Sequence, residues 1–112
     1  MSEFVFLYRP PAGPQLTPAQ MAEVMPRWMS WMKSLDERGH LTATGHPLER
    51  EGKIVRGKDR TITDGPFAET KDLINGYTVI RAKDLGQAAE LAKGCPMLEG
   101  GGAVEVRQVA SM

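Results

Sequence analysis

The stretch Glu3-Phe4-Val5-Phe6-Leu7-Tyr8-Arg9 decides how this chain folds. Alternation with period two puts Phe4, Phe6 and Tyr8 on one face of a strand and Val5 and Leu7 on the other. Both faces are apolar, so the strand is expected at the centre of a sheet and covered on both sides. Pro10, Pro11, Gly13 and Pro14 follow as a stiff loop.

Beyond that loop, Thr17-Pro18-Ala19-Gln20 is a helix start. Thr17 can cap, Pro18 suits the first helical position, and Gln20 completes a capping box. Met21, Val24, Met25, Trp28, Trp31 (or Met32) and Leu35 continue as one apolar stripe. Pro26 lacks an N–H for the helical ladder, so a kink or break is expected there. Gly39 is the expected stop.

Leu41 to Leu48 reads as a second strand, with a short hairpin from Lys53 to Gly57 and from Arg60 to Asp64. Another strand is expected from Gly76 to Ala82. Asp84 to Lys93 is a second helix with Asp84 as cap and Gln87 at the capping-box position. Cys95-Pro96 ends it, Glu99 to Gly102 turn, and Ala103 to Val109 is the last strand.

This order is β-α-β, an inserted hairpin, and β-α-β. Two split βαβ units give an α+β fold of ferredoxin-like layout: an antiparallel sheet with both helices on one face. The other face would remain as a large apolar patch. A second copy of the chain, packed sheet to sheet, is the expected cover.

Composition narrows the function. The 112 residues suit a single domain, residues 1–112, and 41% of them are apolar. Fourteen basic side chains balance fourteen acidic ones, so nucleic acid is not expected as the partner. Arg56, Lys58 and Arg60 are interleaved with acids and read as a solvated turn. The first eight residues lack the pattern of a signal peptide, and no stretch approaches the ~20 apolar residues of a membrane span. One cysteine, Cys95, cannot form an internal disulfide. The expected setting is the cytoplasm, away from membranes.

The most specific stretch is Thr63-Asp64-Gly65-Pro66-Phe67-Ala68-Glu69-Thr70-Lys71-Asp72, followed by Gly76-Tyr77. On its own it is turn chemistry: Asp64 can accept from nearby backbone N–H groups, Gly65 permits positive φ, and Pro66 fixes φ. Phe67 is then an anchor under the sheet. Together with Trp28…Trp31 before Gly39, Gly45…Leu48, Ile54-Val55-Arg56-Gly57, Cys95-Pro96 and Glu105-Val106-Arg107, the motif resembles the YCII-related family, in its DGPF-domain branch. The likeness covers nearly the whole chain.

That resemblance implies a dimeric ferredoxin-like α+β barrel and says little about chemistry. It also implies a link to sigma factors, because some members are encoded beside, or fused to, extracytoplasmic-function sigma factors. In the wider family a helix-1 histidine and an aspartate are proposed as an active pair. Trp28 stands where that histidine would fall, so the pair does not transfer to the first helix.

The remaining candidates lie at strand ends. His46 ends the second strand and Asp64 ends the hairpin; if these ends meet, the two form a base and its orienting partner. The alternative is a surface histidine beside Pro47 and an aspartate that only shapes its loop. Tyr8, Arg9, Glu69 and Lys71 are candidate ligand-binding residues around the same cleft. Cys95 is expected to be packed and inert. Two histidines and one cysteine lack metal-ligand spacing, and no glycine fingerprint for a nucleotide is present, so neither metal nor cofactor is expected. Three functions stay open: an enzyme doing acid–base chemistry on a small molecule near Asp64, a non-catalytic ligand-binding or regulatory module, and a purely structural dimer.

Overall fold

The computed structural model describes residues 1–65 and 73–111. Its elements run β1 (Ser2–Arg9), α1 (Pro18–Glu37), β2 (Leu41–Ala43), β3 (Gly52–Arg56), β4 (Thr61–Gly65), β5 (Tyr77–Ala82), α2 (Leu85–Ala92), a 3-10 helix (Pro96–Gly100) and β6 (Ala103–Gln108). Four strands form one antiparallel sheet in the order β2-β5-β1-β6. The strand that separates each βαβ pair belongs to the other unit, which is the split arrangement expected of a ferredoxin-like α+β fold.

β1 is central, as its two apolar faces require. Phe4 lies opposite Ile80, Phe6 opposite Thr78 and Val106, and Tyr8 opposite Val104. Phe4, Phe6, Tyr8 and Ile80 meet Trp31 and Leu35 of α1 and Ala88, Leu91 and Ala92 of α2 in one buried core. Both helices therefore cover the Phe4 face.

α1 begins as its sequence dictates. Thr17 Oγ1 accepts from Gln20 N at 3.1 Å, and Thr17 N donates to Gln20 Oε1 at 3.0 Å. The helix then runs unbroken through Pro26, where a kink or break was expected. Pro26 and Ala22 are both exposed, so water can serve the one carbonyl that loses its N–H partner. The apolar stripe is buried over the C-terminal half alone: Trp31 and Leu35 are buried, Trp28 is half-buried, and Met21 and Met25 are exposed. The cluster of Tyr8, Trp28 and Trp31 marks where the helix meets the sheet, and the turns before it extend past that contact.

β2 is shorter than the expected Leu41–Leu48. Its register against β5 shifts between Leu41 and Ala43, and Gly45 turns the chain at φ +70°. A Cβ at Gly45 would stand 1.9 Å from the Tyr77 carbonyl oxygen. The backbones approach too closely there for regular pairing, and the chain rejoins β5 only through the Pro47–Gly76 bridge. In α2, Asp84 Oδ1 caps Gln87 N at 2.8 Å, while Gln87 Oε1 takes Lys83 N rather than closing the expected reciprocal box. The turn after Cys95-Pro96 is a 3-10 helix.

Among the described residues, two features are left without cover. The sheet face opposite the helices carries Val5, Leu7, Tyr77 and Val79, all half-buried. The β3–β4 hairpin pairs with itself as a separate two-stranded sheet, with Val55 and Ile62 exposed opposite one another. The radius of gyration is 15.4 Å for 112 residues, against roughly 13 Å for a compact domain of this size. A hairpin standing off the body fits that excess.

Candidate functional site

His46 follows the Gly45 turn and is exposed. Its ring meets Tyr77 edge-on, with centroids 6.1 Å apart, and its carbonyl accepts from Tyr77 N at 3.2 Å. Asp64 lies across the hairpin from Lys53. Its carboxylate is exposed and takes the Lys53 ammonium; the loop whose backbone N–H groups it was expected to bond, from Pro66 on, lies outside the described residues. No hydrogen bond or ion pair joins His46 to Asp64. Glu69 and Lys71, like Pro66 and Phe67 of the loop motif, lie outside the described residues.

Tyr8 and Arg9 are neighbours in β1 and therefore face opposite sides of the sheet. Tyr8 is buried under the helices. Its hydroxyl donates to Thr78 Oγ1 at 2.6 Å, and Thr78 donates to the Thr44 carbonyl at 2.9 Å. Burial holds the Tyr8 phenol well above its ordinary value, against the opposite pull of the Thr78 hydrogen bond. This chain of bonds ties β1, β5 and the end of β2 together inside the core.

Arg9 lies on the open face and grips Glu105 of β6, with Nη2 and Nε at 2.6 and 3.1 Å from Oε1. That hydrogen bond, with the charges of Arg9 and Arg107, holds the Glu105 carboxyl below the usual carboxylate range. Cys95 is buried, and burial pushes its thiol up to about 11. Such a thiol is a weak nucleophile at neutral pH. Among the described residues no three His, Cys, Asp or Glu side chains are grouped to hold a metal ion, and no helix is long and apolar enough to cross a membrane.

The structure also contains a cleft that the sequence did not announce. It lies between α1 and α2, spans about 530 Å³, and is lined by Trp31, Ser34, Arg38, His40, Gln87 and Gly94 among others. A second cleft of about 300 Å³ shares Trp31, Ser34 and Gly94 and continues toward Arg27 and Glu99. Trp31 Nε1 is buried and has no hydrogen-bond partner among the described residues. In sequence, Trp31 reads as core and Gln87 as a capping-box position, while Ser34 and Arg38 carry no signal of a site. Gly94, just past the end of α2, was the one available signal, and it resembles any helix stop.

The model of the YCII-related domain covers residues 4–112 of the chain. No curated protein gives a significant match.

Proposed function

The chain belongs to the YCII-related family, and we propose that it works there as a homodimeric module that binds a small molecule without transforming it. The observation that carries this reading is the state of Asp64. Its side chain is 84% exposed and held by Lys53, while His46 rests on Tyr77. Acid–base catalysis wants a donor and an acceptor within reach of each other and of a sheltered substrate. The exposed, separately engaged pair favours binding over proton transfer, and the α1–α2 cleft gives a small molecule somewhere to bind. The open sheet face favours a dimer. In the setting implied by the DGPF branch, such a module would report a metabolite to a sigma-factor-linked response.

The experiment is a screen of the purified chain against small acids, amines and phosphate esters, with melting temperature read for binding and mass spectrometry for turnover. The expected result is a ligand that raises the melting temperature, is recovered unchanged, and still binds Asp64→Asn. Turnover that disappears in Asp64→Asn or His46→Ala would establish the acid–base enzyme instead.

A further inference from the structure

We infer that the cleft between α1 and α2 binds a small aromatic carboxylate, with Trp31 and Arg38 as its recognition pair. The inference rests on the binding-module reading and names its site and ligand class.

The first observation is an orphaned donor. Trp31 is 7% exposed, and its Nε1 has no hydrogen-bond partner among the described residues. A buried donor left unpaired is costly, and folded proteins keep few of them. The neighbour at that edge of the indole is Gly94, where a Cβ would stand 2.7 Å from Nε1 and 2.8 Å from Cδ1. Gly94 also lines the cleft, so the indole edge adjoins it at a residue without a side chain. A small shift of this residue, which follows the end of α2, would bring an acceptor in the cleft to the N–H.

The second observation is the charge and bonding state of the lining. Arg38 is exposed, spends its Nε on the Ser34 carbonyl at 3.3 Å, and has no acidic partner among the described residues. Its terminal nitrogens remain for a ligand. Glu90, the acid on the rim, is already paired with Lys93 at 3.0 Å. Gln87 Oε1 is occupied by Lys83 N, which leaves its NH2 group as a donor. His40 Nδ1 donates to the Arg81 carbonyl at 2.9 Å. Among the described residues, the uncommitted groups of the lining are thus mainly donors, with one unpaired cation. A planar carboxylate suits both, since a guanidinium binds it in a forked geometry.

The third observation is shape. Trp31 and Leu91 supply apolar wall, and the cleft volume of about 530 Å³ falls inside the ~300–1,000 Å³ of small-molecule sites. A flat apolar body with a carboxylate at one end fits those walls and donors together.

The test uses benzoate, with benzamide as its uncharged counterpart, titrated into the full chain. The readout is the indole N–H resonance of Trp31, assigned with Trp28→Phe. Benzoate is expected to move that resonance saturably, and benzamide to bind at least ~10-fold more weakly, the difference a charge-assisted pair supplies. Arg38→Gln, at an exposed position that should not disturb folding, is expected to weaken benzoate ~10-fold and leave benzamide unchanged. No saturable shift with either compound would overturn the inference. So would equal affinities, or an Arg38→Gln variant that binds benzoate as well as the parent. A ligand found to be turned over near Asp64 would sink the binding-module reading while leaving the Trp31 result untouched.

Discussion

The indole of Trp31 lies over the ring of Phe6, with centroids 5.8 Å apart and planes 10° from parallel. This stack joins α1 to the central strand at the middle of the core. Trp31→Ala is expected to cost about 3–5 kcal/mol through lost burial and the cavity left behind. Trp28 is half-buried and meets Tyr8 edge-on at 4.9 Å, so Trp28→Ala should cost clearly less. Urea denaturation of both variants checks the order. A larger loss at Trp28 would show that the stack is not the main tie between helix and sheet.

Two glycines with similar backbone separate strain from crowding. Gly39 has φ +79° with nothing within 4 Å of an added Cβ, whereas at Gly45, φ +70°, a Cβ would collide with the Tyr77 carbonyl at 1.9 Å. Gly39→Ala should lose ~1–2 kcal/mol, the cost of placing an L-residue in the left-handed region. Gly45→Ala should lose more, because β2 must also move away from β5. Equal melting temperatures for the two variants would mean that the close approach at Gly45 relaxes freely.

These contrasts mark how far the sequence could be read. β1 was legible because period-two alternation over Phe4–Arg9 is a local property, and it carried the sheet order with it. The caps at Thr17 and Asp84 were legible for the same reason. The early end of β2 was not, because it depends on Gly45 meeting Tyr77, 32 positions away. The burial of Trp31 over Trp28 turned on helix phase against a particular strand. For the site, the sequence named His46 and Asp64 by their place at strand ends, but their actual partners, Tyr77 and Lys53, are matters of register. The α1–α2 cleft needed both helices in position before Arg38, Gln87 and Gly94 could be seen together.

The titration of two groups gives opposite limbs to the stability profile. Glu105 has a folded pKa depressed by the Arg9 hydrogen bond. Its contribution is present above the unfolded carboxyl range and is lost as pH falls through the folded value. Glu105→Gln should therefore flatten the acid limb. Tyr8 has a folded pKa raised by burial, so its contribution is full below the unfolded phenol value near ~10 and falls as pH rises beyond it. Tyr8→Phe should flatten the alkaline limb, with a cost near neutrality of about 1 kcal/mol for the lost bond to Thr78. Melting temperatures across the pH range check both; limbs unchanged in the variants would assign the acid and alkaline losses to other groups.

Cys95 is 2% exposed, with a thiol pKa pushed up to about 11. Iodoacetamide at neutral pH should leave the folded chain almost unmodified and label it fully in denaturant, since both access and thiolate are scarce in the fold. Rapid labelling of the native chain would show that the end of α2 opens.

The uncovered sheet face makes the last prediction. Val5 lies opposite Val79, and Leu7 lies opposite Tyr77, so four half-buried apolar side chains adjoin on the side away from both helices. A patch of that kind on a small domain marks an interface. Sheet-to-sheet packing of a second copy would cover it, burying well over ~1,000 Å² in total if the dimer is stable. Sedimentation at micromolar concentration should then give about twice the 12.3 kDa of the chain. Val79 is opposed by Val5 and Ala43, so Val79→Glu places a carboxylate in the middle of the patch, where a sheet-to-sheet contact would have to desolvate it. That variant should sediment near the single-chain mass and keep its far-ultraviolet dichroism. A parent chain that sediments as a monomer would remove the dimer, and a Val79→Glu variant that stays dimeric would move the interface to another surface, with the exposed β3–β4 hairpin as the next to examine.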